Sequence, residues 1–160
     1  MTFLRKTCLA TLLAFPLVVH AAGFDIVAGP TATSSERTTT AAFASVFGDR
    51  PYDNRIHFEP IATAGWIDAH HTQSENLHHE VFLAGGGVRI VSANHHWFVS
   101  EQLAATSTRT DALSSRFEFI TSGGWEDGRF IAVLQHISNG YLIGGGKNLG
   151  ETMLLAGVRW

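Results

Sequence analysis

His136 and Ser138 stand two residues apart in the run Leu134-Gln135-His136-Ile137-Ser138-Asn139-Gly140, and Asn148-Leu149-Gly150-Glu151 follows a short loop later. In an extended strand, residues i and i+2 point to the same face, about 6.5–7 Å apart along the backbone. The imidazole and the hydroxyl are therefore direct neighbours, with an amide at Asn139 beside them and a carboxylate at Glu151 within reach of the same strand end. A histidine titrates near neutrality and can take a serine proton, which makes the hydroxyl a nucleophile. The chemistry this suits is ester hydrolysis.

The remainder of the chain says where that chemistry would happen. Residues 1–21 read as a secretory signal peptide: a short basic start (Arg5, Lys6), an apolar stretch from Cys8 to Val19 and the small-residue ending Val19-His20-Ala21. Its apolar stretch is too short to span a bilayer comfortably. Residues 22–160 then form a single domain, with no linker, repeat or shift in composition. The single cysteine, Cys8, leaves with the leader, so the exported chain is expected to be stable without disulfides. Removing Arg5 and Lys6 leaves nine basic against fourteen acidic residues, and no basic patch points to nucleic acid.

After Ala22 the apolar residues recur with period two, and no window carries a 3.6-residue stripe. Eight strands are expected, over residues 24–32, 38–47, 56–70, 79–91, 96–107, 116–125, 129–138 and 151–160. Ile56, Phe58, Pro60, Ala62, Ala64 and Trp66 share one face of the third, against His57, Glu59, Thr63 and Gly65 on the other. Phe117, Phe119 and Trp125 alternate in the same way with Glu118, Ser122 and Gly124.

An all-β chain of this kind fits a soluble sandwich or lipocalin-like barrel, or an eight-stranded antiparallel transmembrane β-barrel. The connectors favour the second. With both termini on one side, that side has connections at 48–55, 92–95 and 126–128, two of them very short. The other side has 33–37, 71–78, 108–115 and 139–150, mostly longer and polar or Gly-rich. Short turns on one side and longer loops on the other is the outer-membrane arrangement. The last strand agrees, since Leu154, Ala156, Val158 and Trp160 form an apolar face with an aromatic residue at the final position.

The even face of the seventh strand, Phe130, Ala132 and Leu134, is apolar and continues into His136 and Ser138. If that face meets lipid, the two polar residues lie on the outer wall near the rim, where a polar group is costly without a function unless it reaches the headgroups. Glu59, Arg89 and Glu101 are expected to form a buried charge network inside the barrel. Trp66, Trp97 and Trp125 fall near strand ends, as interfacial aromatics do. His70, His71, His78 and His79 flank one loop without ordered metal-ligand spacing, and no metal or other cofactor is expected.

These residues resemble the lipid A 3-O-deacylase (PagL) family of outer-membrane β-barrel enzymes. The family pattern is a His-x-Ser-Asn stretch ending one strand, then a loop with Asn-x-Gly and a Glu opening the last strand. The similarity spans the mature chain in size and strand order. Its specific part is residues 135–139, with looser support from residues 85–89, 97–106 and Gly123-Gly124-Trp125. It implies hydrolysis of the ester-linked acyl chain at the 3 position of lipid A in the outer leaflet, without a cofactor. By motif match, His136 is the general base, Ser138 the nucleophile and Glu151 the orienting acid. Asn139, Gly140 and Asn148 are assigned to oxyanion and substrate binding.

The third member departs from the family. Aligned on Asn148-x-Gly150, the orienting Glu falls on Thr152, with Glu151 one position early, and one residue of slip turns a side chain to the opposite face. Counting back from Trp160 puts Thr152 on the apolar face and Glu151 on the inner one, unless a bulge at Gly150 restores Glu151 to the face of His136. Three readings follow: a lipid A deacylase, a barrel of the same ancestry whose triad has decayed, and a soluble exported barrel binding a hydrophobic ligand. A homodimer is compatible with all three.

Overall fold

The computed structural model describes residues 23–35, 37–49, 55–70, 76–140 and 147–160. The expected leader, His71 and residues 141–146 of the 139–150 loop lie outside the described residues. The strands are β1 (Gly23–Thr33), β2 (Thr38–Phe47), β3 (His57–Ile67), β4 (Val81–Val91), β5 (Trp97–Thr106), β6 (Phe117–Asp127), β7 (Phe130–Ser138) and β8 (Glu151–Arg159). Each pairs antiparallel with its sequence neighbour, and β1 pairs with β8, so the sheet closes into an eight-stranded antiparallel barrel. Closure removes both sheet edges.

The period-two pattern becomes the inside and outside of this barrel. In β7, Ile131, Val133, Gln135 and Ile137 are buried, while Phe130, Ala132, Leu134 and His136 are exposed. β6 and β7 join through Gly128 and Arg129, with Asp127 paired to Phe130 and Gly128 at φ +57°. Glycine at the first central position of a two-residue turn, with positive φ, gives a hairpin whose twist matches its strands. The third strand is shorter than its expected span of 56–70. Beyond Ile67 the chain leaves the sheet, and the His70 amide bonds to the carbonyl of Leu77 instead.

The lumen is filled. At the end carrying the chain termini, Arg89 is fully buried and ion-pairs with Glu126, with Asp25 at 3.6 Å and with Glu59 at 4.0 Å. Its guanidinium lies 3.7 Å from the centre of the Phe98 ring and 5.0 Å from that of Phe47, and Arg159 reaches the same Glu126. A buried cation of this kind is tolerable only when paired and hydrogen-bonded, and here three carboxylates surround it. The expected network of Glu59, Arg89 and Glu101 is corrected on one member. Glu101 is exposed on the outer wall, because it shares its parity with Trp97, Val99 and Leu103, all exposed.

At the opposite end, the segment 107–116 folds across the mouth. Ala112 and Leu113 are each 1 % exposed and pack into the apolar core with Leu77. The amides of Leu149 and Gly150 bond to the carbonyls of Asp111 and Ala112, which ties this cap to the start of β8. A pocket inside the barrel among the lumen residues Asp25, Arg89, Gln102 and Gln135 has a volume of about 20 Å³, room for about one water molecule.

The outer wall is apolar. Ile26, Phe58, Val88, Val99, Leu134 and Leu154 are all more than 40 % exposed. Trp97 and Trp125 form a cross-strand pair at the end bearing the termini, where Trp160 also stacks on Phe24. Phe82, Phe117 and Trp66 stand at the other end. Apolar side chains are thus turned outward, and the inner face mixes apolar residues such as Ile120, Val133 and Leu155 with buried polar ones such as Glu59, Arg89 and Gln135.

Candidate active site

His136 and Ser138 both face outward at the end of β7 near the 107–116 cap, His136 exposed and Ser138 half-buried. The parity of the strand enforces this, because Gln135, Ile137 and Asn139 take the inner positions. Across the β7–β8 ladder, His136 pairs with Thr152, and His136 Nδ1 lies 2.9 Å from Thr152 Oγ1. A threonine hydroxyl can accept the Nδ1 proton, leaving Nε2 as the basic nitrogen.

Gly150 explains why the imidazole fits there. It adopts φ +69°, and a Cβ on it would stand 2.8 Å from His136 Cε1. Any other residue would both strain the backbone and press on the ring. The Asn-x-Gly element seen in the sequence is therefore a seat for the histidine.

Glu151 is not brought to His136. It pairs with Ile137, turns into the lumen and is 2 % exposed. Its Oε1 lies 2.8 Å from His70 Nε2, and its Oε2 accepts from Thr31 Oγ1 at 2.6 Å. The left-handed Gly150 does not change the parity of β8, so Thr152 stands on the face of His136. His70 is the residue that sequence reasoning missed. It was grouped with His71, His78 and His79 as a rim residue, yet it is buried while His78 and His79 are exposed. Its position beyond the last β3 ladder pair carries no periodic signal.

Asn139 is 1 % exposed, and its Nδ2 donates to Ser114 Oγ at 2.9 Å. Its side chain thus anchors the cap to the end of β7 and does not face Ser138. Gly140 follows at φ +58° and turns the chain away from the strand. Asn148 is buried at the start of the Asn-x-Gly element, on the inner side of the rim. Of the six residues singled out for catalysis or binding, His136 and Ser138 share one outer face, whereas the Asn139, Asn148 and Glu151 side chains are buried. Among the described residues no group of three or more His, Cys, Asp or Glu side chains could hold a metal ion.

Below His136 the outer wall is grooved. One depression of about 490 Å³ is lined by His136, Thr121, Glu101, Val99, Ile90 and Leu134 among others. It shares Ile90, Val99, Gly123 and Leu134 with a second, of about 610 Å³, that continues to Trp97 and Trp125. The absence of a side chain at Gly123 opens the floor between them, since a Cβ there would meet nothing nearer than Phe98 O at 3.9 Å. Volumes of this size are those of small-molecule sites.

No family model, curated protein or solved structure matches this chain. The site is therefore read from its own geometry: a base and a hydroxyl two residues apart on one strand face, a threonine on Nδ1 of the base, and an apolar groove leading away from the base.

Proposed function

We propose that the protein is an outer-membrane esterase that hydrolyses the 3-O-linked acyl chain of lipid A, with Ser138 as nucleophile and His136 as general base. The observation that carries this reading is the position of the pair. It sits on the outer face of β7, and His136 lines an apolar groove running down the same wall, with Ser138 two residues further along the strand. A soluble ester would be met in a lumen or a cleft, whereas a substrate whose acyl chain lies against a barrel wall is a membrane lipid. The strands of 9 to 11 residues are long enough to cross a bilayer when tilted. Aromatic residues at both ends of an apolar band suit its two interfaces.

In this reading Ser138 Oγ attacks the ester carbonyl carbon while His136 Nε2 takes the hydroxyl proton. The tetrahedral intermediate collapses to an acyl-serine, and the sugar oxygen leaves with the proton returned by His136. Water, deprotonated by the same nitrogen, then attacks the acyl-serine, releasing the fatty acid and restoring Ser138. Backbone amides at the Asn139-Gly140 turn, next in sequence to Ser138, are the candidate donors to the oxyanion. Thr152 holds the imidazole in the tautomer that presents Nε2, in the place where the resembled family has a carboxylate. Export and outer-membrane location belong to the same proposal.

One observation favours a second reading, a barrel whose triad has decayed. Glu151 is engaged with His70 and Thr31 inside the mouth, and the residue on Nδ1 is neutral. The soluble ligand-binding barrel has less support, because its lumen would have to hold the ligand where Arg89 and its carboxylates are packed.

The deciding experiment is expression in a host whose lipid A is hexa-acylated, followed by mass spectrometry of the extracted lipid A. Loss of one 3-hydroxyacyl chain is expected, and Ser138→Ala and His136→Ala should each abolish it because nucleophile and base act as a unit. An unchanged spectrum from a folded, inserted barrel would reject the enzymatic reading in favour of the decayed one.

A further inference from the structure

Glu101 is a carboxylate on a wall that is otherwise apolar. It lies exposed in the middle of β5, four residues from Trp97 and five from the end of the strand. If this wall faces lipid, an ionisable residue there is costly and by default functional. It is also not isolated. The ladders run Glu101 to Thr121 to His136 to Thr152 across four consecutive strands, so these four side chains form one polar row on the outer face. Thr121 Oγ1 donates to Glu101 Oε2 at 2.7 Å. Glu101 Oε1 has no protein partner among the described residues. Glu101, Thr121 and His136 line the same groove.

We infer that Glu101, held by Thr121, is a specificity residue that accepts a hydrogen bond from the hydroxyl of a 3-hydroxyacyl chain, selecting hydroxylated chains over plain ones. This rests on the esterase reading of His136 and Ser138. Glu101 lies two strands from His136, about 9–10 Å between backbones, and the two side chains reach into the groove from opposite sides. In this reading an acyl chain whose carbonyl sits at Ser138 runs past His136 into this groove toward Gly123 and Leu134. A hydroxyl two carbons from that carbonyl enters the groove near Thr121 and Glu101. An unsubstituted chain would instead lay methylene groups on the carboxylate and leave it desolvated without a partner. Sites built to bond a hydroxyl reject analogues lacking it for that reason.

The test uses the full-length barrel in mixed detergent micelles with two lipid A preparations. They carry, at the 3 position, either a 3-hydroxyacyl chain or an unsubstituted chain of equal length. The wild type should favour the hydroxylated substrate in kcat/KM by about tenfold or more, the worth of one hydrogen bond to a charged acceptor. Glu101→Leu should bring that ratio to near one, and Glu101→Gln, which keeps shape and an acceptor oxygen, should retain part of it. Heat-modifiable gel mobility reports that each variant is folded. If the wild type cleaves neither substrate, the esterase reading itself fails, and this inference with it. If it cleaves both equally, or Glu101→Leu keeps the full preference, the role of Glu101 is overturned while the esterase reading stands. A change in oligomeric state of Glu101→Leu with the preference intact would make the row an interface between barrels and equally overturn it.

Discussion

Glu151 and His70 meet inside the mouth of the barrel, Oε1 to Nε2 at 2.8 Å, with both side chains nearly inaccessible. The contact ties the first residue of β8 to the segment beyond β3, across 81 positions of sequence. Thr31 adds a hydrogen bond from β1 to the same carboxylate. Glu151 is thus a strut of the rim. Glu151→Ala should lower stability by about 3 kcal/mol, because one partner of a buried pair is left uncompensated. Urea unfolding of the folded barrel in micelles measures this. Activity per folded molecule should change little, and a loss as complete as that of Ser138→Ala with stability intact would return Glu151 to the catalytic machinery.

Thr152 is the residue that touches the base. Thr152→Val removes the acceptor on Nδ1 and should lower kcat about three- to tenfold, the worth of one neutral hydrogen bond. Thr152→Glu places a carboxylate on the outer face at the register position paired with His136. Charge-assisted hydrogen bonds are roughly twice as strong as neutral ones, so kcat should rise by about tenfold over the wild type. Steady-state kinetics on micellar lipid A distinguishes the two directions. A Thr152→Glu variant that folds and is slower than the wild type would show that Thr152 does not stand where an orienting carboxylate is missing.

These residues also show what was legible before the structure. All eight strands follow from alternation, because a closed barrel converts period two directly into inside and outside. The same parity separates Thr152 from Glu151, and the structure keeps that separation. Glu101 was misplaced although its parity with Trp97, Val99 and Leu103 was available. Grouping it with Glu59 and Arg89 followed charge complementarity, and strand parity won. Asp25, Glu126 and Arg159 complete the Arg89 network from strands distant in sequence, and only the barrel register brings them together. His70, Leu77 and Leu113 fill the mouth from segments outside the ladders, where no period predicts which way a side chain turns.

Arg89 holds the terminal end of the lumen as Glu151 holds the mouth. Arg89→Leu keeps the bulk over Phe98 but leaves Asp25, Glu59 and Glu126 facing one another with Arg159 as the remaining cation nearby. A loss of about 3–5 kcal/mol is expected, as for other buried pairs broken from one side. Adding Glu126→Gln to Arg89→Leu should recover part of it by removing one uncompensated charge. Non-additive urea midpoints in the four-variant cycle would report the coupling, and strictly additive effects would contradict a shared network.

Gly123 forms the floor where the two outer depressions join, and it has no positive φ to demand glycine. A larger side chain should therefore be accepted by the backbone and stand in the groove. Gly123→Leu should displace about three methylene groups of a bound acyl chain. At about 0.8 kcal/mol each, this lowers kcat/KM roughly fifty-fold for a long chain. Chains too short to reach Gly123 from Ser138 should be cleaved as by the wild type, because His136, Ser138 and Thr152 are untouched. A series of lipid A analogues differing only in acyl length makes the comparison. Equal losses for short and long chains would mean that the acyl chain does not lie in this groove.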